Sequence, residues 1–121
     1  MGELDDAITK LSNGTTAIAP QVAKLNLGSA TELTIASGQI TVTQTRHTVD
    51  TEGDASSDDL DTINGGSEGD VLYLQTADSS RDVVVKHLTG NIYLRGATDV
   101  TLGDTRRTLL LLKSGATWCE V

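Results

Sequence analysis

Few side chains in this 121-residue chain could do chemistry. They are an acidic run, two histidines, one cysteine and one tryptophan. The run Asp50-Thr51-Glu52-Gly53-Asp54-Ala55-Ser56-Ser57-Asp58-Asp59-Leu60-Asp61 spaces its oxygens as a calcium loop does. A helix-flanked calcium loop, however, requires glycine at its sixth position and a bidentate glutamate at its twelfth. Counted from Asp50, those positions hold Ala55 and Asp61, and the flanks read as strand, so the run reads as a solvated acidic loop. His47 and Asp50 with a nearby serine have the composition of a catalytic triad, but no Gly-x-Ser-x-Gly elbow presents a nucleophile. Neither His47 nor His87 has a second ligand at metal spacing, and both read as structural or surface histidines. Cys119 is the only cysteine, which excludes an intramolecular disulfide. Strand alternation sets it opposite Trp118, as a small apolar residue rather than a reactive thiol. Trp118 itself reads as a buried anchor rather than a platform for a sugar. No catalytic, metal-binding or cofactor-binding residue is expected, and the chain does not read as an enzyme.

The elements around these residues are mostly strands. Residues 2–12 carry the one helical signal: Leu4, Ile8 and Leu11 recur at helical spacing, Asp5 and Asp6 stand in the first turn, and Asn13-Gly14 ends it. Residues 15–32, with Pro20 and Gly28, hold too little apolar content for a core element and read as an extended arm. Residues 1–32 thus form a helix and arm suited to gripping a partner through Leu4, Ile8, Leu11, Ile18, Val22 and Leu25. Residues 33–121 form a β-domain. Short apolar segments at 33–35, 39–45, 46–49, 70–76, 82–87, 92–94, 100–102, 108–113 and 117–121 alternate with polar turns about every ten residues. That pattern predicts an all-β fold of about nine short strands, a compact antiparallel sandwich or barrel of jelly-roll type. The segments Val83-Val84-Val85 and Leu109-Leu110-Leu111-Leu112 are apolar on both sides. One side serves the core, and the other, assigned to Val83, Val85, Leu110 and Leu112, serves a subunit interface.

Composition narrows the partners. The chain lacks phenylalanine and is 37% hydrophobic, so its core is built from aliphatic residues that bury less area than rings do. A thin core of this kind favours burial against identical copies. Net charge is −8, and only Arg106-Arg107 are adjacent basic residues, so nucleic acid is not an expected partner. Acidity of this degree serves solubility or attraction to a basic protein surface. No leader-like start and no apolar stretch of membrane-spanning length is present, and the expected site of synthesis is the cytoplasm.

Residues 38–121 resemble a β-module that recurs in structural proteins of tailed bacteriophages. The residues that carry the likeness include Ile40-Thr41-Val42, His47-Thr48-Val49-Asp50-Thr51-Glu52 and, as its most specific part, Asp58-Asp59-Leu60-Asp61-Thr62-Ile63-Asn64-Gly65-Gly66. They continue through Gly69-Asp70-Val71-Leu72-Tyr73-Leu74, Gly90-Asn91-Ile92-Tyr93-Leu94 and Gly115-Ala116-Thr117-Trp118-Cys119-Glu120-Val121. The resemblance implies a virion protein that assembles as a homotrimer, and it transfers no catalytic or ligand residue. The short chain, opening on a helix and arm, points to a capsid decoration (cement) or head-fibre protein. Such a protein would sit on the outer capsid surface with the major capsid protein as partner. A tail-fibre or spike component that binds a glycan receptor is the alternative.

Overall fold

The computed structural model describes residues 24–121. The expected helix and most of the expected arm, with Leu4, Ile8, Leu11, Ile18 and Val22, lie outside the described residues. Lys24–Ala30 run without regular structure, and Leu25 is 84% exposed. The β-body begins at Thr31.

Eleven strands follow: β1 Thr31–Thr34, β2 Gln39–Thr41, β3 Arg46–Asp50, β4 Ser57–Leu60, β5 Thr62–Asn64, β6 Val71–Thr76, β7 Asp82–Val85, β8 Ile92–Tyr93, β9 Val100–Leu102, β10 Leu109–Ser114 and β11 Thr117–Glu120. One short 3-10 turn, Glu52–Asp54, precedes β4. Among the described residues no helix is long and apolar enough to cross a membrane.

The fold is all-β, but the expected antiparallel jelly-roll sandwich is not what forms. Five of the eight strand pairings are parallel: β1 with β3, β3 with β6, β2 with β5, β4 with β7, and β8 with β11. Parallel neighbours cannot be joined by a tight hairpin. Here each crossover is itself made of strands and corners, so the chain winds as a solenoid and stacks successive turns on one another. Its end is antiparallel: β9 returns along β7, β10 along β6, and β11 turns back on β10 through Ser114–Thr117, with Gly115 at φ 63°. A turn signal every ten residues fits a reversal or a bend equally well, which is why the spacing could not separate the two architectures. Three sheets result, ordered β1-β3-β6-β10-β11-β8, β4-β7-β9 and β2-β5.

In-register winding stacks like residues in the interior. Leu33, Val49 and Thr76 form one ladder; His47, Leu74 and Leu109 form another; Leu60, Val85 and Val100 form a third. Ile40 faces Ile63, and Ile92 faces Trp118. Leu72, Leu74, Val83, Val85, Leu102, Leu111 and Trp118 are all essentially inaccessible. The aliphatic core is therefore complete within one chain, and burying each such side chain contributes about 1.5–3 kcal/mol.

One side chain splices the winding. β5 and β8 are not joined by a backbone ladder; instead, the Ile63 N–H donates to Asn91 Oδ1 (2.9 Å) and Asn91 Nδ2 donates to the Ile63 carbonyl (2.8 Å). The Asn91 carbonyl then accepts from the Trp118 N–H (2.8 Å), so an amide stands in for a missing strand bond and leads on to β11. Gly90 is required beside it, because a Cβ there would collide with the Asp61 carbonyl oxygen and Thr62 Oγ1.

Candidate functional site

The residues with the most chemical potential are tied into the scaffold. His47 is fully buried, and its Nε2 accepts from the Thr43 and Gln44 N–H groups (3.0 and 3.2 Å). Since Nε2 accepts, Nδ1 carries the hydrogen and donates to the Thr31 carbonyl (3.0 Å). The ring therefore ties β1 and the Thr43–Gln44 segment to β3 and has no free edge to act as a base. His87 Nδ1 likewise accepts from the Leu94 N–H (3.0 Å), and its ring meets Tyr93 edge-on with centroids 5.2 Å apart.

The acidic run is spoken for in the same way. Asp50, 7% exposed, accepts from the Thr51 N–H and pairs with Arg81 Nε at 2.9 Å. Arg81 also reaches Asp54 (3.5 Å) and Asp78 (3.3 Å). Its Nε–H is not aligned into a hydrogen bond, so the contact is an ion pair held by charge. Glu52 accepts from the Ser37 N–H, and Asp58 from the Glu52 and Asp59 N–H groups. No three His, Cys, Asp or Glu side chains among the described residues converge on a point that could hold a metal ion.

The pattern extends over the whole body. Asp70, Asp78, Asp99, Asp104, Glu68 and Glu120 each accept a backbone N–H at a bend or turn. With Asp50, Glu52 and Asp58, nine of the fourteen acidic residues between Lys24 and Val121 do this. The reason is geometric: a corner lifts its N–H groups out of the ladder, and a carboxylate is the strongest acceptor available to them. At exposed corners the bonds also set titration. The Arg106 side chain holds Asp104 down at about 2, and Lys86, 2.8 Å away, lowers Asp99. Ser80, whose hydroxyl donates to Asp78, lowers Asp78.

Acids at corners leave most of one face, the part formed by β6, β10, β11 and β8, without them. On the six-stranded sheet, Val71, Leu112, Cys119 and Tyr93 are direct partners across β6, β10, β11 and β8, so they form one outward row. Val71 is 40%, Leu112 39% and Tyr93 44% exposed. A second row sets Tyr73 against Leu110, with Val121 beyond it. From Val71, Tyr73 and Gln75 on β6 across to Tyr93 on β8, the outward positions carry no carboxylate; at the other edge of the sheet the exposed Glu32 of β1 stands beside Thr48, and β3 ends at Asp50. The other two sheets differ: Asp59 and Asp82 face outward on one, and Gln39, Thr62 and Asn64 on the other.

Of the four expected interface residues, Leu110 and Leu112 lie on this face. Val83 and Val85 do not: both are wholly enclosed by their own chain, and Val84 is the outward residue of β7. Three successive valines conceal which parity points inward. Val71 and Tyr73, on a run that also reads as apolar on both sides, and Tyr93 were not among the expected interface residues; the register of β6 with β10 brings them into line with Leu112 and Leu110.

Two concavities flank the face. One, of about 350 Å³, lies among the corners at Val42–Thr45 and Gly66–Val71, against Trp118. Trp118 is 1% exposed, its Nε1 has no partner among the described residues, and Lys113 Nζ lies 5.5 Å from its ring centroid. The other, of about 500 Å³, runs between Lys24–Gly28 and the outward residues Arg46, Tyr73 and Gln75. Arg46 closes its floor by donating to the Gly28 carbonyl (3.1 Å).

Compared with protein-family models, curated proteins and solved structures, the chain matches none. The functional reading therefore stands on the residues.

Proposed function

We propose that this chain is a structural protein of a tailed-phage virion, a homotrimeric capsid decoration or head-fibre protein bound to the outer shell. The resemblance of residues 38–121 supplies the class. The observation that carries the reading is the outward apolar face on a body whose histidines and most carboxylates are consumed by its own corners. Such a body is a scaffold that presents surfaces. Identical copies and the major capsid protein are its partners, while nucleic acid and membranes are not. The segment ending at the exposed Leu25 grips the shell, and binding the assembled shell alone stabilises it by mass action.

Co-sedimentation with isolated shells tests this. Removal of residues 1–26 spares β1 and the Gly28 and Ser29 carbonyls that receive Arg46 and Gln44. The truncated chain is expected to keep its β circular dichroism and to stop sedimenting with shells. Normal decoration by the truncated chain would refute the grip. The alternative, a tail-fibre or spike component that binds a glycan, is favoured by the cavity beside Trp118, whose wall carries Thr43, Thr45, Ser67 and Asp70. Glycan-array binding without shell binding would select it.

A further inference from the structure

The outward rows identify a contact surface, and charge selects its occupant. We propose that a second copy of this chain docks on the face formed by Val71, Leu112, Cys119 and Tyr93, flanked by Tyr73 and Leu110. The proposal deepens the assembly part of the reading above and rests on it only in taking the protein to work as copies.

Two copies of a chain with net charge −8 repel one another, and screening at physiological salt weakens that repulsion only beyond about 8 Å. Contact within that range requires surfaces that bring no carboxylates together. The corners carry the acids, and the sheets β4-β7-β9 and β2-β5 offer acidic or amide-rich surfaces. The β6-β10-β11-β8 part of the six-stranded sheet alone combines exposed aliphatic and aromatic side chains with no negative charge, the exposed Glu32 lying two strands away on β1. A basic partner would be drawn to the corners instead, where nine carboxylates are gathered. The same face on each copy can meet itself or its neighbour round a symmetry axis. In either arrangement Leu112, in the middle of the row, is enclosed.

The test is sedimentation velocity and light scattering of the full chain across a wide concentration range, at low and at high salt. Wild type is expected to assemble, and to assemble more tightly at high salt as repulsion between the acidic bodies is screened. Leu112→Glu is expected to weaken assembly by about tenfold or more, because an unpaired carboxylate is enclosed. Leu112→Met should assemble as wild type does. Thr41→Glu, on the exposed β2, is expected to have no effect. Leu112 is 39% exposed in the single chain, so its replacement leaves the fold intact, which circular dichroism verifies. Assembly of Leu112→Glu at wild-type strength, or a wild type monomeric throughout the range, overturns the proposal. Assembly that weakens as salt rises also overturns it. Failure to bind shells by a chain that still assembles through Leu112 removes the decoration reading and leaves this interface standing.

Discussion

The corners of the solenoid and the outward face of its six-stranded sheet use opposite chemistry. At the corners side chains are used to match backbone groups: Asn91 bridges β5 to β8, His47 fastens three segments, and carboxylates collect the N–H groups that bends expose. On the face, apolar side chains stand unmatched in rows. The difference teaches that residue types which suggest chemistry can be wholly architectural, while the bland ones carry the contact. Substitutions at corners should therefore change stability and leave association intact, and substitutions on the face should do the reverse.

The largest effect is expected at Asn91. Asn91→Ala leaves the N–H and carbonyl of the buried Ile63 without partners, and about 2–4 kcal/mol should be lost in urea unfolding followed by circular dichroism. His47→Leu preserves much of the apolar volume but strands the Thr43 and Gln44 N–H groups; about 1–3 kcal/mol is expected, with unchanged association of the folded fraction. Asp50→Ala removes the least exposed of the three carboxylates around Arg81 and should cost about 1–2 kcal/mol, since Asp54 and Asp78 still neutralise that guanidinium. Leu112→Glu should leave unfolding within about 0.5 kcal/mol of wild type at concentrations where the chain is monomeric. An Asn91 variant that altered assembly without altering stability would break the division between corner and face.

The smallest effect sharpens it at the exposed end. Arg106 depresses the Asp104 carboxyl to about 2 in the folded chain, below its unfolded value. That contribution is fully present above the unfolded carboxylate range, near 4, and is lost as pH falls towards about 2. Arg106→Ala should therefore flatten the acid limb of the stability profile slightly between those values, measured by denaturant titration, and leave neutral pH almost unaffected.

Much of the body was legible in the sequence, and the rest was hidden for physical reasons. The strands at Val71–Thr76, Val100–Leu102 and Leu109–Ser114 announce themselves through dense apolar content. β4 does not, because Ser57-Asp58-Asp59 carries no hydrophobic pattern; it becomes a strand through parallel pairing with β7, a long-range cause. Winding direction was equally invisible, since a glycine-rich corner serves a bend or a reversal. On the face, Leu110 and Leu112 could be read from alternation, whereas in β7 Val83 and Val85 took the inward parity and Val84 the outward one, a choice three successive valines do not encode. The absence of acid from one face emerges only when the registers of β6, β10, β11 and β8 are known.

Cys119 supplies the most direct measurement. As the only cysteine, at the centre of the apolar row between Leu112 and Tyr93, it reports burial of the face without any substitution. The rate of its alkylation by a maleimide should fall steeply as protein concentration rises, and should stay fast at every concentration in Leu112→Glu. A wild-type rate independent of concentration, equal to that of the variant, would contradict the account.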